Sequence, residues 1–315
     1  MTPLRALAQP YALSFLGALV VWGAAASYTG GMGTGGMISA AFALAAFAVL
    51  AGLAQMFVIT LGPGNVDLSL PANMGLASAV AMKVMAGSDA MIAVGLLAAI
   101  GSGLAIGCAN YALILALRIP PIIATLSTSF IVQSVGISYG RGLQVKPPPG
   151  LATFTSMQVA GVSVLGLTVV ALCGLMALAL HRTPFGLSVS AVGQNARAAR
   201  LAGLPVNRVR FFTYLLSGAL GGLSGALLAG YFNGSSLDIG AEYLLTSIAV
   251  VVIGGSSVAG GRGSVAGLWG GALFLILLMT MLNTFGVSSG LRMLISGLVI
   301  IAVIVIAGGK SSERR

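Results

Sequence analysis

The sequence predicts an all-α polytopic membrane protein with about ten transmembrane or partly spanning helices. Of its 315 residues, 58% are hydrophobic and only 6% are charged, and the mean hydropathy is +1.06. A soluble domain normally carries about a quarter charged residues, and a soluble chain of this length has no way to bury so much apolar surface. The high fraction of hydrophobic residues and the low fraction of charged residues therefore exclude a soluble globular protein.

The helices follow from the apolar runs of the chain. A hydrocarbon core of ~30 Å requires roughly 20 apolar residues in a helix, and ten such runs are separated by glycine, proline or charged residues. The first run also resembles a cleavable signal peptide, but an uncleaved span is the favoured interpretation. The third, fifth and eighth runs are short, so re-entrant or broken helices remain open for them. In order, the ten segments are 11–28, 38–60, 71–87, 91–115, 122–139, 158–181, 211–231, 243–258, 265–284 and 290–308.

The basic residues predict which side of the membrane each loop occupies. Lys and Arg are enriched in cytoplasmic loops, and an even number of spans puts both termini on one side. With both termini in the cytoplasm, 11 of the 15 basic residues are cytoplasmic and 4 are external. The acidic residues Asp89, Asp238 and Glu242 then belong to outer loops. The cytoplasmic set is Arg5, Arg118, Arg182, Arg197, Arg200, Arg208, Arg210, Arg262, Lys310, Arg314 and Arg315.

The most polar cytoplasmic segment is residues 182–210, which holds five arginines and no acidic residue. In a soluble chain, the net charge of +10 would indicate binding to nucleic acid. Beside membrane spans, the same charge is explained by the orientation of the loops in the lipid bilayer. The sequence therefore predicts no nucleic-acid partner.

Residues for catalysis and metal binding are scarce. The chain has one histidine, five acidic residues and two cysteines, Cys108 and Cys173, both within apolar runs. We therefore predict no catalytic residues and no metal site. The Gly-Lys-Ser of the C-terminal tail is not a phosphate loop, because the required glycine five positions before Gly309 is Ile304. We expect no cofactor in this chain and no ATP hydrolysis by it.

Neutral polar residues within the spans are the candidates for a translocation path. Charged groups at membrane depth, which proton- or voltage-coupled proteins use, are almost absent. Neutral hydrogen-bonding side chains suit a neutral polar solute, although hydrogen bonding between helices is an open alternative. The candidate path residues are Asn73, Asn110, Thr125, Ser127 and Gln133.

Two glycine-rich turns, at 62–75 and 254–267, follow the second and eighth spans on the cytoplasmic side. In the first, Asp67 or Ser69 is predicted to cap the helix that begins near Pro71, and in the second Ser264 is the predicted cap. Glycines spaced four apart, such as Gly103–Gly107, Gly218–Gly222 and Gly221–Gly225, predict close helix packing. The candidate turn residues are Asp67, Ser69, Gly254, Gly255, Arg262 and Gly263.

Four motifs give the chain a resemblance to a known family. In chain order they read GPGNVDLS, IPPIIATLST, GQNARAARLAGLPVNRVRFFTYLLSGALGGLSG and IAVVVIGGSSVAGGRGSVAG. They are similar to motifs of the permease subunits of ribose-type (monosaccharide) ABC importers, and the resemblance covers about residues 40–308. It implies a single permease domain, 1–315, in the bacterial inner membrane. It also implies a second permease subunit, two cytoplasmic ABC ATPase subunits that bind ATP and Mg²⁺, and a periplasmic or extracellular sugar-binding protein.

The resemblance also implies a role for the segment 182–210 as an ATPase-coupling loop. The family pattern there is E-A-A-x-x-x-G, and this chain reads RAARLAG from Arg197 to Gly203. The alanines and the final glycine match, whereas the glutamate is replaced by Arg197. Gly203 is expected to end a short docking helix. The candidate coupling residues are Gly193, Asn195, Arg197, Ala198, Ala199, Arg200 and Gly203.

Two other interpretations remain open from the sequence. A self-sufficient channel or secondary transporter predicts charges at the midplane or paired broken helices beside a site. A membrane scaffold does not require a coupling motif. Two departures from the family pattern, Leu70-Pro71 after the DLS motif and Lys83 within the third segment, leave the solute and the choice between a homodimer and a heterodimer open.

Overall fold

The computed structural model describes residues 10–142 and 145–312, which form thirteen α-helices and a two-stranded hairpin. Arg5, Arg314 and Arg315, three of the charges used for the topology, lie outside the described residues. The first helices are α1 (Pro10–Tyr28), α2 (Thr34–Thr60), α3 (Leu70–Met85), α4 (Ile92–Leu117), α5 (Pro121–Gly140) and α6 (Pro149–Ser156). They are followed by β1 (Gln158–Val159), β2 (Val162–Ser163), α7 (Val164–Arg182), α8 (Pro184–Gln194), α9 (Ala196–Leu201), α10 (Val206–Tyr231), α11 (Tyr243–Ile253), α12 (Val265–Thr284) and α13 (Ser289–Ser312).

Seven of these helices are long and apolar enough to cross a membrane: α1, α2, α4 with the turn before it, α5, α7, α10 and α12. The expectation of a helical, polytopic membrane protein is therefore confirmed. The third and eighth segments are short, as predicted, because α3 has 16 residues and α11 has 11. The prediction that the fifth segment is short was wrong, since α5 has 20 residues.

Several predicted boundaries need correction. Residues 158–163 do not begin the sixth span but form an antiparallel hairpin. Its loop residues Ala160 and Gly161 both have positive φ, 51° and 78°, which is the backbone of a tight two-residue turn. The seventh span begins at Val206 rather than 211. The eighth span ends at Ile253 rather than 258, because Gly254 and Gly255 turn the chain there.

The core is built around α2 and α10. All residues of α2 from Ala45 to Thr60 are buried. α10 crosses α4 at closely packed glycines, where a Cβ on either Gly103 or Gly218 would overlap the carbonyl of the other. The same helix packs Gly225 against the backbone of Met74 on α3. The predicted close packing at these glycines is therefore confirmed.

The two short helices begin beside each other. A Cβ at Gly240, just before α11, would lie 2.5 Å from the carbonyl oxygen of Pro71 in the first turn of α3. Asn73 donates a hydrogen bond to the carbonyl of Gly218, which lies about 18 Å along the ~39 Å length of α10 at 1.5 Å per residue. The first turn of α3 thus lies beside the middle of α10.

The segment 232–242 is not a simple outer loop. A Cβ at Gly75 would be 2.5 Å from the carbonyl oxygen of Leu237, while the neighbouring Met74 packs on Gly225. Gly225 precedes the end of α10 at Tyr231 by six residues, which is about 9 Å along the helix axis at 1.5 Å per residue. Leu237 lies near the level of Gly225, so the segment after α10 folds back along the helix by about this distance. α3 and α11 therefore both start near the middle of the length of the helix bundle.

Lys83, unexpected within an apolar segment, lies exposed near the end of α3. Its Nζ is 4.2 Å from the ring centroid of Tyr139 on α5. A cation over the face of an aromatic ring is attracted by the ring quadrupole. This contact explains how the charge is accommodated between the ends of two helices.

Candidate functional site

The predicted docking helix exists as α9, and both of its ends are capped. The side chain of Asn195 accepts hydrogen bonds from the backbone N–H groups of Arg197 (3.0 Å) and Ala198 (2.9 Å). At the other end Gly203 adopts φ 86° and donates to the carbonyl of Arg200, while Leu204 N–H donates to the carbonyl of Ala199. This pair of bonds is the Schellman arrangement. Gly203 therefore ends the helix as predicted.

One buried residue holds α9 on the rest of the molecule. Ala199 is 5% exposed and packs in a cluster with Val189 and Val192 of α8 and Val206 and Val209 of α10. The opposite face projects outward, since Arg197, Ala198 and Arg200 are exposed and Leu201 is 83% exposed. A short, rigid helix with an unpartnered outer face is suited to entering a cleft on another protein.

Immediately before α9, the chain passes through a contact that we call the glycine junction, formed by Gly62, Gly193, Gly260 and Gly261. A Cβ at Gly193 would overlap the carbonyl oxygen of Thr60 and lie 2.5 Å from Gly261 N. Gly261 N–H donates a 2.9 Å hydrogen bond to the carbonyl oxygen of Thr60. A Cβ at Gly260 would overlap Gly62 Cα. The ends of α2 and α8 and the turn before α12 thus touch through their backbones.

Three of the four motifs that carry the family resemblance therefore meet at the glycine junction.

Of the other turn residues, Gly254 packs against Gly267 at the start of α12, and a Cβ at Gly263 would lie 3.0 Å from Thr60 Oγ1. Gly255 turns the chain with φ 84°. Arg262 is exposed, and its carbonyl accepts a hydrogen bond from Ser257. Ser264 accepts from Gly267 N–H, so the predicted cap of α12 is confirmed.

Asp67 and Ser69 do not cap α3, which corrects the sequence prediction. Ser69 occupies the N-cap position without a side-chain hydrogen bond to the helix. Instead, Asp67 Oδ1 accepts from Ser69 N (3.0 Å) and Ser69 Oγ (2.6 Å), and Oδ2 accepts from Ser217 Oγ (2.8 Å). Asn110 Nδ2 donates to Ser69 Oγ at 2.8 Å and lies 3.4 Å from Asp67 Oδ1. These four residues form the Asp67 cluster.

The Asp67 cluster ties the turn before α3 to α4 and α10. Asp67 is 2% exposed, and Asn110 and Ser217 are fully buried. Burial raises the pKa of the Asp67 carboxyl, while the hydrogen bonds donated by Ser69, Ser217 and Asn110 oppose that shift. A buried carboxylate is tolerated when such donors satisfy it. The cluster therefore fixes the position at which α3 begins.

The structure does not bring the candidate path residues together in one site. Asn110 belongs to the Asp67 cluster, and Asn73 is buried with its amide donating to Gly218. Thr125 is buried and bridges the same turn, because its Oγ1 accepts from Leu68 N and donates to the carbonyl of Val66. Ser127 is exposed and bonds to the backbone of its own helix. Gln133 lines a cavity between α3, α5 and the segment before α11.

This cavity, of about 80 Å³, lies where α3, α5 and the inward-folded segment meet. Its polar lining includes Ser129 and Gln133 of α5 and Asp238. We did not predict Asp238 at this place, because the charge count put it in an outer loop. The run of turn-forming residues FNGSSLDIG before α11, followed by a helix too short to span, is the signal that predicts a fold-back. The cavity offers neutral hydrogen-bonding groups and one carboxylate.

A multi-pass bundle in which two short helices begin near the middle of its length, and which carries a capped helix with an exposed outer face, has the architecture of a membrane permease. The comparison with protein families agrees: residues 37–304 match the family described as branched-chain amino acid transport system / permease component. The chain belongs to this family.

Named relatives are similar over most of their length. The chain is 34% identical over 270 residues to the ribose import permease protein RbsC of Bacillus subtilis, covering 84% of this chain and 82% of that protein. It is 33% identical over 261 residues to the autoinducer 2 import system permease protein LsrC of an Enterobacter species, covering 82% and 76%. RbsC of Escherichia coli is 31% identical over 272 residues, covering 84% and 82%. No solved structure matches the chain.

The resemblance found in the sequence is therefore confirmed, and so is the assignment to a membrane as a multi-pass importer permease. The short helices α3 and α11 are the paired broken helices that we associated with a self-sufficient transporter. Since they occur in a chain of this importer family, they do not favour that alternative.

Proposed function

We propose that this chain is the transmembrane permease subunit of an ATP-driven ABC importer for a small neutral sugar. ATP and Mg²⁺ bind to a separate ATPase, and this subunit forms the translocation path. The observation that carries the coupling role is α9, which is capped at both ends, anchored by Ala199 and exposed on its outer face. Such a helix transmits a displacement by a partner to the rest of the chain, because hydrogen bonds fix both of its ends.

The solute class is supported by two observations. Relatives that share about a third of their residues with this chain are named for import of ribose and of autoinducer 2. The cavity beside α3 and α5 is lined by Gln133 and Ser129, which offer donors and acceptors suited to the hydroxyl groups of a sugar. Helices that begin at the middle of the bundle commonly border a transport site. We therefore place the translocation path at this cavity.

We propose that ten helices cross or partly cross the membrane, with both termini in the cytoplasm. Seven helices are long enough to span, and α3, α11 and α13 complete the number. α3 and α11 begin beside each other and each covers only part of the thickness. With this arrangement the coupling loop, 182–210, which contains α8 and α9, lies in the cytoplasm together with its five arginines.

The glycine junction connects α9 mechanically to the helices that border the cavity. It links the end of α8 to the end of α2 and to the turn that joins α11 and α12. Because these contacts are between backbones, a displacement of α8 moves the other two segments as rigid bodies. We propose a single permease domain over residues 1–315. It pairs with a second permease subunit and works with two copies of the ATPase and an external sugar-binding protein.

A cysteine at Leu201 tests both the orientation and the docking. In a Cys108→Ala background, which removes the exposed native thiol, we expect Leu201→Cys to react with a membrane-impermeant maleimide only from the cytoplasmic face. Bound ATPase should protect it, because Leu201 is 83% exposed in the isolated chain and lies on the proposed contact. Labelling is measured in right-side-out and inverted vesicles, with and without the ATPase.

A cysteine at Leu187, which is 56% exposed on α8, is the matched control off the docking helix. It should be labelled from the same side and be protected less. Labelling of Leu201→Cys from the outside would overturn the topology. Equal labelling with and without the ATPase would overturn the docking of α9.

A further inference from the structure

The outer face of the docking helix is basic. Arg197 and Arg200 are three residues apart on α9, so their side chains are neighbours on one side of the helix. Both are exposed. Leu201 is one turn from Arg197 and is 83% exposed. The face therefore combines one apolar side chain with two guanidinium groups beside it.

Neither arginine is needed to hold α9 in place. The helix is fixed by the Asn195 cap, the bonds at Gly203 and the burial of Ala199. The coupling loop contains no acidic residue that would pair with the two arginines. Arg197 also lies in the first turn, where the positive end of the helix dipole disfavours a cation. Its position is thus unfavourable for the helix itself, which points to a partner outside the chain.

We propose that Arg197 and Arg200 bind carboxylates on the rim of the ATPase cleft that receives Leu201. The inference rests on the proposed function and adds the chemistry of the partner. Interfaces commonly place an apolar anchor in a pocket and surround it with polar contacts. The planar guanidinium group binds a carboxylate through two parallel hydrogen bonds.

The charge of this face selects the partner. The resembled family pattern has glutamate where this chain has Arg197, and a cleft that complements glutamate repels an arginine. Like charges brought together at an interface suppress binding of the wrong partner. The basic face of α9 therefore favours an ATPase whose cleft has an acidic rim.

The test measures how much ATPase stays bound to the purified chain. The tagged chain is co-expressed with the ABC ATPase that co-purifies with the wild type and is identified by mass spectrometry. Three variants are compared: the double reversal Arg197→Glu with Arg200→Glu, the apolar truncation Leu201→Ala, and the matched reversal Arg182→Glu with Arg208→Glu. The matched pair makes the same change of charge at exposed arginines outside α9. Binding is measured at about 0.1 M and about 1 M salt, where the Debye length falls from about 10 Å to about 3 Å.

We expect the double reversal to weaken ATPase binding by about ten-fold or more at low salt. The matched reversal should change it little, and high salt should weaken the wild-type complex. If Leu201→Ala weakens binding but the double reversal does not, α9 docks on the ATPase, but the proposed binding of Arg197 and Arg200 to carboxylates is wrong. An equal loss in the matched reversal would show general attraction between charges and contradict the proposal. If neither Leu201→Ala nor the double reversal weakens binding, docking through α9 itself, and with it the proposed coupling, is wrong.

Discussion

Gly193→Ala is expected to weaken coupling between the ATPase and the membrane helices by roughly ten-fold or more. The added Cβ would overlap the carbonyl of Thr60 and lie 2.5 Å from Gly261 N. Both are backbone atoms of well-packed segments, so α8 must shift away from the glycine junction. Overpacking of this kind costs about 1–3 kcal/mol. If that cost falls on one of the two transport states, uptake falls about ten-fold for each 1.4 kcal/mol.

Gly174→Ala is the control, because no atom lies within 4 Å of a Cβ at Gly174 on α7. The substitution is the same, and both glycines are helical. Uptake of sugar, retention of the ATPase and melting temperature in detergent are measured for both. We expect Gly193→Ala to retain the ATPase, since α9 is capped independently, and to lose uptake. Equal uptake by the two variants would show that the glycine junction does not carry the coupling.

Asp67→Ala is expected to destabilise the fold and to stop transport. It removes the acceptor of Ser217 Oγ and of the Ser69 hydroxyl, both of which are buried. Each buried polar group left without a partner costs about 1–3 kcal/mol. The turn before α3 would lose its link to α10, so the first turn of α3 beside the cavity would no longer be held. A fall in melting temperature and a loss of uptake are the expected results.

Two further variants separate the charge of Asp67 from its shape. Asp67→Asn keeps the shape of the side chain, but one of its two oxygen acceptors becomes an amide NH₂ group, which is a donor and faces the donors of Ser69 and Ser217. We therefore expect a loss of stability between that of the wild type and that of Asp67→Ala. Asp89→Ala is the matched control, because that exposed carboxylate accepts one hydrogen bond, from Gly150 N. A melting temperature of Asp67→Ala as high as that of Asp89→Ala would contradict the structural role of the Asp67 cluster.

The spans and the docking helix could be predicted from the sequence because their signals are local. Apolar runs bounded by glycine or charge gave most helices to within a few residues, and Gly203 marked the end of α9. The glycines at 103, 218 and 225 predicted close packing because a helix repeats its face every three to four residues. Their partners on the neighbouring helices became known only from the structure.

The cavity and the Asp67 cluster could not be predicted, because they depend on contacts between distant segments. Asp67 and Ser217 are 150 residues apart, and the sequence around Asp67 looked like a helix cap. Asp238 was placed in an outer loop because charge bias assigns a side to a loop but not its path. A segment that folds back into the bundle changes no charge count, so the turn-forming run FNGSSLDIG and the shortness of α11 were the signals that pointed to it.

ATP-driven uptake in liposomes distinguishes the permease subunit of an ABC importer from a self-sufficient transporter. The chain is reconstituted with its ATPase and its sugar-binding protein, and accumulation is measured for labelled ribose, other pentoses, hexoses, polyols and autoinducer 2. We expect accumulation of at least one of these solutes that requires ATP and stops when the ATPase is omitted or carries an inactivating substitution. Equal uptake by the chain alone, without ATPase or ATP, would contradict it and establish a self-sufficient channel or transporter.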